Sequence, residues 1–292
     1  MEQQGIANLI DEQEWLDEAA EPVAKVIHDI LPRELKNLLH GTWLGHPLHP
    51  VITDIPVGAW SVALALDGVA GMTGNEDVGD AADISIAIGL AGAVGAAVTG
   101  ATDWSDTYGR GRKIGLVHGI LNLAATGLYA GSLIARRNGN RDTGVALSML
   151  GYAIAGASAY LGGHLVFNEQ IGVDHTATAD AEKPEEFTAV MNAADLPDEK
   201  PTRVEADGVA IVLVKRGDRI VALTDTCPHL GGPLSEGKLV DGAIQCPWHG
   251  SEFALDDGSV VNGPSTFPAR CFQVRVRDGR IELRAGNKQA AE

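Results

Sequence analysis

The chain has 292 residues and a formal net charge of −17, with 39 acidic against 22 basic side chains. That balance speaks against nucleic acid and against anionic lipid surfaces as partners, because both select for Lys and Arg. Three cysteines cannot supply a disulfide framework, and the length accommodates two domains. The opening residues, MEQQGIANLIDEQEWLDEAAEPVAK, have neither the basic start nor the short apolar core of a secretory signal, so a reducing compartment is expected.

Residues 12–31 carry Trp15, Leu16, Val23, Ile27, Ile30 and Leu31 at helical spacing with acidic residues between them. Pro32 and Gly41 bound a second short helix containing Leu35, Leu38 and Leu39. This region, the amphipathic helices of residues 1–45, is expected to pack on the chain's own bundle, with an independent anchor as the alternative. Four apolar runs follow, at about residues 51–72, 84–102, 114–135 and 144–167. Each approaches the roughly 20 residues that cross a bilayer. A buried bundle in a soluble domain is the other reading. Runs that are apolar all round, four in succession, favour membrane spans in a domain of residues 46–168. Gly92, Ala96 and Gly100, at four-residue spacing, suit close approach between spans. Asp67 falls about five residues before the far end of the first run, some 7 Å inside the boundary at about 1.5 Å per residue. A bare carboxylate there is costly, so a pairing with Arg136 or Arg137 is expected, with a protonated Asp67 as the alternative.

Residues 169–186 include the polar VDHTATADAEKPEE, which lacks aromatic residues and reads as a linker. From residue 187 to 292 short β-rich runs dominate, and RGDR and RDGR mark hairpins of antiparallel sheet. Within that region stand Cys227-Pro-His229 and Cys246-Pro-Trp-His249. Zinc is the generic partner of two cysteines and two histidines, but zinc-finger spacing groups like with like. Here each loop supplies one thiolate and one imidazole. That distribution suits a [2Fe–2S] cluster with Cys227 and Cys246 on one iron and His229 and His249 on the other.

These loops, with the flanking GGPLSEG and GP segments, resemble those of Rieske ferredoxin domains over residues 187–284. The resemblance implies a [2Fe–2S] electron carrier. High-potential Rieske proteins of cytochrome bc complexes have an extra cysteine in each loop, where this chain has Gly232 and Trp248. They also use a serine and a tyrosine as hydrogen-bond donors; Ser251 matches the first, while Phe253 stands at the second. Fewer donors imply a lower potential. Rieske oxygenases add a second domain with mononuclear iron, but no histidine follows His249. No glycine-rich nucleotide-binding motif follows a strand either, so a carrier, or one component of an oxidoreductase, is expected rather than a complete enzyme. Cys271 is expected to be a small buried residue.

Upstream, GTWLGHPLHPVITDIPVGAW resembles the start of a family of uncharacterised four-helix membrane domains with an HPLHP motif, over about residues 40–168. With four spans, both ends of the domain lie on one side. That side collects His46, His49, Asp54, Asp103, His118 and His164. Three readings stand: histidines that cap helices, a quinone site using histidine and carboxylate for protons, and a haem b ligated by His118 and His164. The polar stripe His118, Asn122, Thr126 and Tyr129 favours a pocket over capping. His28, His40 and His175 are expected at solvated or interfacial positions. Arg33, Lys36, Arg110, Arg112, Lys113 and Lys183 lie on the terminal side, against Arg136, Arg137 and Arg141 opposite, which favours cytoplasmic termini.

The sequence thus describes an all-α four-span bundle followed by an all-β Rieske domain. Its expected function is one-electron exchange with a redox protein partner or a quinone. An anchored ferredoxin module serving a separate oxygenase or reductase, and a redox sensor, are the rivals.

Overall fold

The computed structural model describes residues 5–177 and 183–286. They form two compact units, one from residues up to 35 with 47–169, the other from 36–46 with 170 onward.

The first unit contains α1 (Gly5–Asp11), α2 (Glu14–Ile30) and four long helices: α4 (Leu48–Thr73), α5 (Glu76–Ser105), α6 (Gly109–Arg137) and α7 (Arg141–Phe167). Short helix α3 (Arg33–His40) joins the units. All four long helices have the length and apolarity to cross a membrane. They run beyond the apolar runs of the sequence because polar caps extend them. Asn75 accepts the Asp77 amide at the start of α5, Asn140 accepts the Thr143 amide at α7, and Gly74 closes α4 in the left-handed conformation. The small-residue stripe of α5 lies against α4: Gly92 faces Ile55, and the Ala96 carbonyl and Gly100 face His49. Trp60 stacks on Tyr129 at 4.0 Å in the middle of the bundle.

At the end of the bundle where α4 finishes, the Arg136 side chain has no solvent exposure and holds Asp67 with two bonds, Nη1 to Oδ1 at 2.6 Å and Nη2 to Oδ2 at 2.5 Å. The expected pairing is therefore present, and Arg136 rather than Arg137 makes it. Arg136 also reaches Asp83 on α5 and Ser148 on α7, while Arg141 closes on Asp83 at 3.0 Å. One knot of paired charges thus ties all four spans. Charges out of water hold only when so fully partnered.

Among the described residues, the second unit has ten strands. β1 (Thr188–Asn192) pairs with β10 (Arg280–Ala285), which pairs with β9 (Phe272–Arg277). β2 (Thr202–Ala206), β3 (Val209–Arg216) and β4 (Arg219–Thr224) form a second sheet. β5 (Lys238–Val240), β6 (Ala243–Gln245), β7 (Glu252–Ala254) and β8 (Val260–Asn262) form a third, and all pairs are antiparallel. The RGDR and RDGR segments turn β3 into β4 and β9 into β10. Strand β3 is buried on both faces. Ile211 and Leu213 enter one core with Phe272 and Ile281, and Val212 and Val214 enter another with Cys227, Cys246 and Phe253.

Residues 36–46 belong to this unit through Asn37. Its Nδ2 donates to Asn262 Oδ1 at 2.9 Å and its Oδ1 accepts the Gly263 amide at 3.0 Å. Beside it His40 is 2% exposed and packs over Gly263, so of the two expected settings, solvated or interfacial, it is not the solvated one. Glycine at 263 leaves the space that the imidazole fills. His28 is half exposed and meets Asp106 at 3.0 Å, as an interfacial residue does. In the linker region, the His175 amide donates to the Pro228 carbonyl at 3.1 Å, and the Arg270 guanidinium donates to the Thr176 carbonyl. Residues 178–182 of the expected linker lie outside the described residues.

Candidate metal centre and histidine cluster

The two ligand loops have the same backbone build. In the first, between β4 and β5, the Cys227 amide donates to the Gly232 carbonyl at 2.8 Å, and Gly231 returns its amide to the Cys227 carbonyl. In the second, between β6 and β7, the Cys246 amide donates to Ser251 at 2.8 Å and Gly250 returns to Cys246. Gly231 and Gly250 occupy the same left-handed conformation, φ 80° and 76°, which glycine adopts without strain. Each loop therefore presents a cysteine, and two or three residues later a histidine, from one geometry used twice.

The four side chains form two pairs. Cys227 and Cys246 are 1% and 2% exposed and hydrogen-bonded to one another, and the rings of His229 and His249 meet edge to face at 4.9 Å. His229 Nδ1 and His249 Nε2 are shut away from solvent. A single ion needs three or four ligands converging on one point, and no such group of His, Cys, Asp or Glu occurs among the described residues. Two separate pairs fit a two-iron cluster. Of the two sulfurs, Cys246 is the one set for anionic charge, while the Cys227 thiol is held protonated by its hydrogen bond to Cys246 and by burial. The hydrogen bond from Cys227, with the amides of Trp248 and His249, brings the Cys246 thiol down to about 7, and the amides of His229 and Leu230 face Cys227. Cys271 differs: burial pushes its thiol up to about 11, so it packs as a neutral group.

Around the pairs, a Cβ at position 232 would meet Cys246 Sγ and the Trp248 ring at 3.0 Å, so glycine lets the two loops pack closely. Trp248 is 53% exposed beside that contact. Ser251 is fully buried, and its Oγ accepts the Ser265 amide at 2.9 Å, leaving the hydroxyl proton to donate. Phe253 is fully buried in the core that contains both cysteines. Glu252, which the sequence did not mark, is buried and accepts from Gln245 at 2.8 Å and from Asn262 at 2.9 Å. It links the foot of the second loop to Asn262 and so to Asn37.

In the bundle, His49 on α4 and His118 on α6 meet edge to face at 6.5 Å, with Asp103 in electrostatic reach of His49. His49 Nδ1 lies 2.9 Å from the Ala96 carbonyl, which can only accept, so Nδ1 carries the proton and Nε2 is an acceptor. His118 uses both nitrogens. Nδ1 donates to the Ser158 carbonyl at 2.8 Å, and Nε2 accepts Asn122 Nδ2 at 3.1 Å. Gly100 and Gly162 give the two imidazoles their seats. The stripe continues through Thr126, which bonds the Asn122 carbonyl. His164 is engaged elsewhere, at 3.2 Å from Glu169, which also holds Arg110. Asp54 is exposed on α4, and His46 belongs to the 36–46 segment of the other unit.

Residues 186–273 match the model of the Rieske [2Fe-2S] domain, and residues 45–175 match a family described as predicted membrane protein (DUF2231). Ferredoxin CarAc of Metapseudomonas resinovorans is 38% identical over 101 residues, which cover 34% of this chain and 94% of that protein. Human Apoptosis-inducing factor 3 is 35% identical over 104 residues, but the match spans only 17% of its length and 36% of this chain. Among solved structures, the ferredoxin of carbazole 1,9a-dioxygenase from Nocardioides aromaticivorans aligns over 34% of this chain and 98% of its own, with 25% identity and a TM-score of 0.33. Sheet, paired loops and spans together define a membrane-anchored electron-transfer module. The chain belongs to the Rieske [2Fe–2S] ferredoxin family, its ferredoxin part fused behind a four-helix membrane domain.

Proposed function

We propose that this chain exchanges single electrons with a quinone bound at the His49–His118 end of the bundle, with its Rieske unit on the cytoplasmic side. When bound to Cys227, Cys246, His229 and His249, a [2Fe–2S] cluster supplies a reversible one-electron couple. The observation that carries the quinone reading is the histidine pair itself: two imidazoles from different spans, 6.5 Å apart, beside a carboxylate at the end of the bundle opposite the Arg136 knot. His49 Nε2 accepts a proton from a quinol hydroxyl or, once protonated, donates one to a quinone oxygen. Asp103 stabilises the charged ring. Asn122 and Ser158 hold His118 in one tautomer and one orientation. A haem on His118 and His164 draws no support from this arrangement, since neither His118 nitrogen offers an unengaged lone pair and His164 faces Glu169.

The test is oxidation of the pre-reduced full-length protein by a short-chain quinone in nanodiscs. His49→Ala is expected to slow it by about a hundredfold or more, the low end for loss of a general acid or base, and His118→Ala to slow it less, without removing any haem band. Unchanged rates in both variants would sink the site and leave a plain anchor. The near-complete match to a ferredoxin component favours a second reading, an anchored carrier serving a separate oxygenase. That reading predicts unaltered quinone kinetics in both variants and electron delivery to an added oxygenase.

The donor set also predicts a potential. Gly232, Trp248 and Phe253 offer no disulfide and no phenol to the sulfurs, so the midpoint is expected in the lower part of the Rieske range of about −150 to +300 mV. Phe253→Tyr should raise it in a redox titration. A wild-type midpoint near the top of the range contradicts the argument.

A further inference from the structure

We infer that α1 and α2 form a membrane-embedded collar: α1 sunk beside the spans at acyl-chain depth and α2 lying along the lipid interface. The first observation is the depth of α1. Ala7 and Ile10, on its buried side, share one apolar cluster with Ile114, Val117 and Leu121 of α6 and with Leu161 and Leu165 of α7. Leu121 stands eight residues beyond Lys113, and Leu161 six before the end of α7, so this cluster reaches about 9–12 Å into the spans at 1.5 Å per residue. Residues 5–10 carry no charge, and Ile6 and Leu9 on the outer side are 58% and 61% exposed. At that depth, beside spans whose own outward faces meet lipid, the outer side of α1 meets lipid too.

The level of α2 follows from its ion pairs. Lys113, in the first turns of α6, bonds Asp11 at 3.1 Å and Asp17 at 3.4 Å, and His28 meets Asp106, the residue that closes α5. Helix α2 therefore runs across the end of the bundle, at the height where spans begin and finish. Its residues divide into three arcs at 100° per residue. Leu16, Ala20 and Ala24 are buried against the bundle. Glu14, Glu18, Glu21, Lys25 and Asp29 form the charged arc. Between the two arcs, Trp15, Val23, Val26 and Ile30 are 47–67% exposed and continue the apolar surface without a break. A helix lying in an interface beside a protein wall needs such a division: one arc on protein, one in water, one on lipid. Trp15 has the side chain best suited to that boundary. The acidic arc selects zwitterionic rather than anionic lipid.

The full chain in nanodiscs of phosphatidylcholine, with and without bromine on the acyl chains, tests this by tryptophan emission. The Trp15 signal, taken as wild type minus Trp15→Phe, is expected to lose about half or more of its intensity in brominated lipid. In the Trp15→Phe background, Leu9→Trp should be quenched as strongly and Glu21→Trp, on the charged arc, should not. The visible absorption of each purified variant confirms that it is folded. Absence of quenching at both positions 9 and 15 would overturn the inference, whether water or a second copy of the chain covers the face.

Discussion

Replacing either His229 or His249 with alanine is expected to abolish the Rieske-type EPR signal of the reduced protein. The two rings form a pair of their own, 4.9 Å apart and opposite the paired thiols, so each supplies one of only two nitrogens to its iron. The loop backbone, closed by Cys227–Gly232 and Cys246–Ser251 bonds, does not depend on the imidazoles, so the domain should remain folded by circular dichroism. Cys271→Ser is the matched control. That thiol is neutral and only packs, so the spectrum should be unchanged. A wild-type spectrum in both histidine variants would refute the ligand assignment.

Arg136→Ala should cost about 3–5 kcal/mol, the usual loss when one partner of a buried ion pair is removed. Asp67 would then stand in the bundle at 3% side-chain exposure, with Arg141 no nearer than 3.9 Å. Because Arg136 joins groups from α4, α5 and α7, the effect should appear as a lower melting temperature of the whole bundle in detergent. Asp67→Leu combined with Arg136→Met removes both charges, and much of the stability should return. A melting temperature of Arg136→Ala equal to wild type would show that the knot contributes nothing.

The sequence revealed most where the determinants are local. The ligand loops are each a short stretch with its own glycine and proline signals, and their pairing needed only two copies of one motif. The Asp67–Arg136 contact was legible from helix rise and side-chain length alone. What escaped were contacts between distant residues of unremarkable type. Asn37 reaches Asn262 across 225 positions through single amide bonds, and no periodicity announces that. Buried His40 follows from the empty space at Gly263, which is visible only once both are placed. Ser158, which fixes the tautomer of His118, sits in an apolar run where a serine carries no signal. Helix α1 is seven residues long and nearly uncharged, too short for a helical stripe to declare itself. In the bundle the sequence marked six polar positions at one end. The structure brings His49 and His118 together with Asp103 near, and gives His164 and Asp54 other surroundings.

The most direct measurement is stopped-flow oxidation of the dithionite-reduced full-length protein by a short-chain quinone in nanodiscs, followed by visible absorption. Complete oxidation with one electron leaving each chain, slowed in His49→Ala while the absorption spectrum stays unchanged, is the predicted result. A reduced protein that gives up its electron to ferricyanide but not to the quinone would contradict the account.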